Sequence, residues 1–143
     1  MLPLIPIGAA ILSAAVLIKN KLKSNAKKAS HSKLIDYVKS LNIPVDDNGN
    51  FNPDALLPDG KPILFDVMFN TELFTALLDY GANPNICNAD GIPAIIYAVT
   101  RRLYSEERVK DIVSTLLKYG ANPNAMDSDG KTAVFHANSY TLL

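Results

Sequence analysis

Hydrophobic positions between residues 71 and 81 recur at the spacing of an amphipathic helix. The apolar residues that share one helical face are Leu73, Phe74, Leu77 and Leu78. Asn70, just ahead of them, is a residue type that caps helices, because its side chain accepts hydrogen bonds from free backbone N–H groups. Gly81 can adopt the left-handed conformation that ends a helix. The pattern therefore predicts a helix that starts after Asn70 and stops at Gly81.

A second helix of the same kind is predicted over residues 106–119. Ser105 suits its N-cap, and Glu106 and Glu107 suit the positive end of the helix dipole. Its apolar face is formed by Val109, Ile112, Val113, Leu116 and Leu117. Both predicted helices are followed by an Asp-Gly turn and then by a further helix, which opens at Pro93 in one case and at Thr132 in the other.

The chain repeats itself over these two regions. The phrase LLDYGANPN at residues 77–85 returns as LLKYGANPN at residues 116–124, and an Asp-Gly pair follows the first glycine at the same distance in both copies. A third helix opening of this type lies at residues 58–64. Internal repetition at such a period is typical of proteins built by stacking small helical units. We therefore predict an all-α stack of about three helix-turn-helix units, of which the first and last are incomplete.

The repeated residues resemble the ankyrin repeat. The matching positions of the last copy are Leu116, Leu117, Gly120, Ala121, Asn124, Asp127, Gly130, Thr132, Val134 and Ala137. The histidine position of the family is instead Phe65, Ile96 and Phe135 in successive copies. Gly91 and Gly130 are 39 residues apart, whereas the usual period is about 33, which predicts roughly six extra residues near residues 101–107. The resemblance covers about residues 30–143, with a degenerate helix at residues 34–41 and an insertion at residues 50–57.

The N-terminal region differs in composition from the repeats. No charge occurs in residues 2–18, which begin with Leu2 and end with Ile18, and this run reaches the lower length limit of a membrane-crossing helix. The lysines follow the run, so an uncleaved anchor with the repeats in the cytoplasm fits better than a signal peptide. A helix buried against protein stays open as an alternative. We divide the chain into residues 1–28, an apolar helix with a polar linker at 24–28, and residues 29–143, the repeat domain.

Charge separates the same two regions. Residues 1–28 carry five lysines and no acidic residue, whereas the remainder has 9 basic against 14 acidic residues. The net charge of −5 on the repeats opposes the approach of phosphates, so we do not expect nucleic acid as a partner. Cys87 is the single cysteine and excludes an intrachain disulfide.

No motif in the sequence predicts catalysis. The two histidines, His31 and His136, lie far apart in the sequence and have no metal-ligand spacing with Cys87. Asp127 and Asp129 are explained by turn chemistry, because a calcium loop needs more ligands and a distal glutamate. We expect no cofactor, no metal and no small-molecule substrate, and we predict a protein that is not an enzyme.

The resemblance implies a protein–protein interaction module, since ankyrin-like proteins bind partners through their turn tips and concave helix face. At the tips, the candidates for contact with a partner are Asn88, Asp90, Asp127 and Asp129, with Ala89 and Ser128 between them. On the helix face they are Asp66, Phe69, Tyr97, Arg101 and His136. We expect a membrane-tethered binder of another protein, similar to compact bacterial ankyrin proteins. The alternatives are a structural subunit of a membrane assembly and an exported periplasmic binding or immunity-type protein.

Overall fold

The computed structural model describes residues 7–141, and the elements in this range are all helices. In chain order these are α1 (Ile7–Ser40), α2 (Ile63–Val67), α3 (Thr71–Tyr80), α4 (Ala94–Thr100), α5 (Glu106–Lys118) and α6 (Ala133–Thr141). Three isolated antiparallel bridges, Leu56 with Pro62, Cys87 with Pro93 and Met126 with Thr132, occur between them. The predicted all-α repeat stack is confirmed.

Helices pair into hairpins, α2 with α3 and α4 with α5, and α6 begins a third unit that packs against α4. The predicted helix ends are present: the side chain of Asn70 accepts from Leu73 N, and that of Ser105 accepts from Arg108 N. Gly81 has a φ of 115°, in the left-handed region, and its N–H bonds back to the last turn of α3. Since a non-glycine residue there would be strained, the glycine fixes where the helix stops.

Helix α1 closes the N-terminal end of the stack. It packs against α3, where Leu34 and Val38 are fully buried. An ion pair between Lys33 and Glu72, at 2.9 Å, joins the same two helices at the surface. The degenerate helix predicted at residues 34–41 is therefore the C-terminal part of a much longer helix. Residues 24–28, predicted as a polar linker, are helical and lie inside it, because Ala26 and the two lysines are good helix formers.

The insertion that precedes the first repeat lies closer to the N-terminus than predicted. Residues 52–54, Asn-Pro-Asp, form the same turn as the Asn-Pro-Asn triplets at 83–85 and 122–124, with the first asparagine accepting from the third residue's N–H in each case. Residues 50–57 therefore belong mostly to a regular repeat, and their prediction as an insertion was wrong. The extra residues are 43–50, which form a separate turn closed by Asp46 and Asn50.

Only part of the extra length near residues 101–107 is a loop. The connection between α4 and α5 has five residues, 101–105, whereas three residues, 68–70, join α2 to α3. The rest lengthens the helices themselves, since α4 has 7 residues against 5 in α2, and α5 has 13 against 10 in α3. The second hairpin is consequently taller than the first on the side away from the turn tips.

Burial is concentrated in the first two hairpins. The largest fully buried side chains there include Leu64, Phe74, Leu77 and Ile96. The last unit is different, because Val134 and Phe135 of α6 are 63% and 52% exposed. At the other end, the part of α1 that precedes the stack exposes Val16, Leu17, Ile18 and Leu22.

The run at residues 2–18 that the sequence predicts to be an anchor begins outside the described residues. In the part of the chain that the structure describes, none of the helices combines the length and the apolar character needed to cross a membrane. The predicted transmembrane segment is therefore not confirmed.

Candidate protein-binding surface

The turn tips are closed by hydrogen bonds from their backbone N–H groups to their own side chains. In the tip between Cys87 and Pro93, the carboxamide oxygen of Asn88 accepts from the N–H groups of Asp90 at 3.0 Å and Ile92 at 2.9 Å. Asp127 does the same in the next tip, accepting from Asp129 at 3.0 Å and Lys131 at 2.9 Å. Asn88 and Asp127 therefore shape the tips, while Asp90 and Asp129 are exposed at their ends.

Asp127 has a second role within its own unit. Its other carboxylate oxygen lies 2.7 Å from Nε2 of His136, which places His136 against the tip. The backbone N–H of Lys131 and the imidazole of His136 both stabilise the carboxylate and hold the pKa of Asp127 below its usual range. The sequence-predicted residues Asp127, Asp129 and His136 are thus brought together at one tip.

Asp66, a candidate on the helix face, is held by neighbouring elements. Its carboxylate accepts a short hydrogen bond from the hydroxyl of Tyr37 in α1 and pairs with Nζ of Lys61 at 2.8 Å. Burial raises the pKa of Asp66, but the hydrogen bonds from Lys61 and Tyr37 outweigh it, and the pKa lies below its usual range. Burial and the same carboxylate raise the pKa of Tyr37 to about 12. The cluster fixes α1 to the first unit.

Tyr97 and Arg101 form a second group on the helix face. The Tyr97 ring makes an edge contact with Phe65 of the preceding unit, with ring centroids 4.8 Å apart. Arg101 lies over the same ring, with its guanidinium carbon 3.9 Å from the ring centroid. Such a cation–π arrangement holds an exposed cation in a defined position. Arg101 is therefore presented to solvent from a partly buried aromatic support.

Phe69 meets the connection between α4 and α5, a contact that sequence reasoning missed. Its ring stacks on Tyr104 with centroids 3.7 Å apart and planes 4° from parallel. The guanidinium of Arg108 donates a short hydrogen bond to the backbone carbonyl of Phe69. In the sequence, Tyr104 and Arg108 are simply an aromatic and a basic residue close to Arg101 and Arg102, and no pattern indicates a partner 35 or more residues earlier.

A ladder of side-chain bonds joins successive units. Asp54 accepts from the backbone N–H of Asn83 at 2.8 Å, and the equivalent Asn85 accepts from that of Asn122 at 2.7 Å. Asn85 also donates to the carbonyl of Gly120 at 3.2 Å, at the end of α5. The Asn-Pro-Asp and Asn-Pro-Asn triplets are the sequence signal for this ladder. Asn124 occupies the next position in the series.

The chemistry of this surface suits recognition of a protein. Among the described residues, there is no group of three or more histidine, cysteine, aspartate or glutamate side chains that could hold a metal ion. Cys87 is exposed beside a tip. What the stack presents is a row of rigid polar turns next to supported aromatic and cationic side chains, groups that are common in protein interfaces.

Helix hairpins stacked in register, with tight turns closed by Asn or Asp and glycine stops after each second helix, define an ankyrin repeat protein. The family model described as ankyrin repeats (3 copies) matches residues 63–141. The chain belongs to the ankyrin repeat family.

Solved structures of the same family resemble the fold. An ankyrin repeat domain from Acinetobacter baumannii superimposes with a TM-score of 0.60 and 28% sequence identity, covering 66% of this chain and 48% of that one. A second ankyrin repeat protein gives a TM-score of 0.56 at 25% identity, covering 65% of this chain and 48% of its own. This chain thus spans about half the length of the solved relatives that it matches.

Proposed function

We propose that this protein is a noncatalytic adaptor that binds another protein through the tips and helix face of its repeats. Membership of the ankyrin repeat family supports a role in protein–protein interaction. The observation that carries the proposal is the pair of prearranged tips, in which Asn88 and Asp127 hold the backbone while Asp90 and Asp129 stand exposed. Rigid tips lose little conformational entropy when a partner binds.

The helix face extends the proposed contact area. Arg101 over Tyr97 is a supported cation beside an aromatic ring, and arginine and tyrosine are enriched among residues that dominate binding energy. Asp66 and Asn88 contribute differently, because their polar groups are engaged within the fold and they position neighbouring residues. We therefore assign direct contact first to Asp90, Asp129 and Arg101.

Site-specific photocrosslinking in the native host tests the binding surface. A photoreactive phenylalanine analogue replaces Asp90 or Asp129 in the full chain, and the matched control carries it at Asp36, an exposed residue of α1. We expect a discrete crosslinked protein from the two tip positions and none from the control. Identical products from all three positions, or no product from the tips, would contradict the proposal.

We further propose that the N-terminal region attaches the repeats to a membrane. The uncharged run at residues 2–18, the lysines after it and the exposed Val16, Leu17 and Ile18 support this part. Carbonate extraction of membranes separates the possibilities: full-length protein should stay in the pellet, and a variant lacking residues 2–18 should be released. Release of both would contradict attachment through this run. Protease digestion of the repeats in spheroplasts would favour the periplasmic alternative over the cytoplasmic one.

The structural-subunit alternative makes a different prediction for the crosslinked partner. If the N-terminal run assembles with other membrane proteins and the repeats only cover them, the variant lacking residues 2–18 should lose the tip crosslink. If the repeats themselves bind, the same crosslink should form with the truncated chain.

A further inference from the structure

The connection between α4 and α5 forms a surface separate from the turn tips. Helix α4 starts at Ala94, directly after one tip, and ends at Thr100. Seven helical residues therefore carry the chain about 10 Å away from the tip before the connection begins. Residues 101–105 and the first turns of α5 lie at that opposite end of the hairpin.

The charge of this surface is opposite to that of the surrounding domain. Residues 101–110 contain four basic and two acidic residues, whereas the rest of residues 29–143 contains five basic and twelve acidic ones. Glu106 and Lys110, one turn apart, pair with each other at 3.7 Å. The other charged residues of this segment are three arginines and Glu107, so its net charge is +2. A basic island on an acidic domain steers acidic partners toward one place.

An apolar groove lies within this basic island. We use the term basic groove for the concave surface in which partly buried Val99, Val109 and Val113 form the base. The exposed charged residues around it are Arg101, Arg102, Lys110 and one acidic residue, Glu106. The groove also reaches Tyr104 and the α6 residue Ala137, and its volume is about 710 Å³. That volume is within the range of sites that bury a drug-sized ligand, or a few side chains of a peptide.

Leu103 beside the groove is the most exposed of the large apolar residues in the described chain, at 92%. The connection that carries it is held in place, because Tyr104 stacks on Phe69 at 3.7 Å and Arg108 bonds to the carbonyl of Phe69. The fold thus fixes a five-residue segment while leaving its leucine in water. Preorganised apolar exposure next to a groove is typical of a binding surface.

We propose that the basic groove binds an acidic protein segment that inserts an apolar side chain between Val99, Val109 and Val113. The arginines at its edge would pair with the carboxylates of the segment, and Leu103 would cover the inserted side chain. A nucleic acid would satisfy the charges but not the valine base, and the acidic remainder of the domain would repel its phosphates. The inference goes beyond the proposed contact through the tips by assigning a defined chemistry to a second surface, which adjoins the helix face at Arg101.

Fluorescence anisotropy with a synthetic probe tests this proposal. The probe is a fluorescein-labelled peptide, Glu-Glu-Leu-Glu-Glu-Leu-Glu-Glu, titrated with the full-length chain in detergent micelles. We expect saturable binding that weakens when NaCl is raised, since exposed charges are screened. The double variant Arg101→Glu, Arg102→Glu should bind at least about tenfold more weakly, because the charges at the groove edge are reversed. Leu103→Ser should also weaken binding.

A matched variant and two control peptides separate the groove from charge alone. Lys28→Glu, Lys39→Glu changes the net charge by the same amount at exposed positions of α1, and it should leave the affinity within about twofold. Peptides with serine for leucine, or with lysine for glutamate, should bind at least about tenfold more weakly.

Several outcomes would overturn the proposal. These are no saturable binding of the probe, equal loss in the two double variants, equal binding of the serine peptide, or a labelled single-stranded oligonucleotide that binds more tightly than the probe. None of them affects the tip crosslinks at Asp90 and Asp129. Conversely, loss of those crosslinks with intact peptide binding would contradict the proposed adaptor function and leave the groove standing.

Discussion

The two ends of the stack are finished in different ways. At the N-terminal end, α1 covers the first hairpin and fully buries Leu34 and Val38. At the C-terminal end, α6 packs on α4, but Val134 and Phe135 stay more than half exposed. Repeat proteins are stabilised mainly by contacts between neighbouring units, so α6, whose side chains are more exposed in the described part of the chain, gains less burial. We therefore expect local stability to decrease from α1 toward α6.

Removal of a buried side chain should have the largest effect, and it should depend on which end is changed. Leu34→Ala leaves a cavity between α1 and α3 and should lower the free energy of unfolding by about 2–5 kcal/mol. Val134→Ala, at a largely exposed position of α6, should change it by no more than about 0.5 kcal/mol. Urea denaturation of both variants measures the difference, and equal losses would contradict the comparison of the two ends.

The helix stop between the first two units should be the next most sensitive position. Gly81→Ala forces a side chain into a φ of 115°, and since nothing lies within 4 Å of the added Cβ, the cost comes from the backbone alone. We expect a loss of about 1–2 kcal/mol. Gly81→Asn should recover part of it, because asparagine is found at positive φ more often than alanine is. Thermal unfolding would show no difference between the two variants if the glycine were not required for its conformation.

The ladder between units offers a matched pair of smaller changes. Asn85→Ala removes the acceptor of Asn122 N and the donor to the carbonyl of Gly120, and should cost about 0.5–1.5 kcal/mol. Asn124→Ala removes the equivalent side chain of the last unit, to which nothing in the described part of the chain bonds, and should cost close to nothing. Hydrogen exchange of the Asn122 amide should rise in the first variant only. Equal effects would mean that the two ends are not distinguished by this ladder.

The smallest effect is expected from the charge at the last tip. The folded pKa of Asp127 is lowered, so its stabilising contribution is present above the ordinary carboxyl pKa of 3.8 and disappears as the pH falls through the folded value. Asp127→Asn retains the acceptor for the turn, as Asn88 does in the preceding unit, but removes the charge facing His136. Melting temperatures of the two proteins should therefore converge as the pH falls below about 4. A difference that is constant with pH would contradict this assignment.

The fold was largely predictable because each repeat contains the residues that start and end its own helices. Asn70, Gly81, Ser105 and Gly120 act through local backbone geometry, which a sequence displays directly. Residues 24–28 were misjudged since a run of lysines and small residues suits both a linker and an exposed helix turn. The predicted position of the insertion was wrong because Phe51 and Asp54 occupy positions that are alanine and asparagine in the other units. These two differences make the match of residues 51–54 to the repeat hard to recognise in the sequence.

Only the part of the binding surface that lies at positions shared by the copies of the repeat, the turn tips, was predictable from the sequence. The tips follow from the Asp-Gly pairs, and the structure places their residues together. The contacts of Asp66 with Tyr37, and of Phe69 with Tyr104, join residues 29 and 35 positions apart. Such contacts depend on how the units stack, so no local sequence pattern predicts them. Leu103 would pass for a core residue in the sequence, and only packing shows that water surrounds it.

The unbroken course of α1 has a mechanical consequence. The first part of the helix, from Ile7 to Lys23, precedes its contact with α3. Its sixteen residue steps span about 24 Å without a break in the helix. Any body joined to its first turns would be held at a set distance and rotational angle from the repeats. The helix would act as a rigid spacer, so a change in the tilt of its first turns would reorient the whole repeat stack.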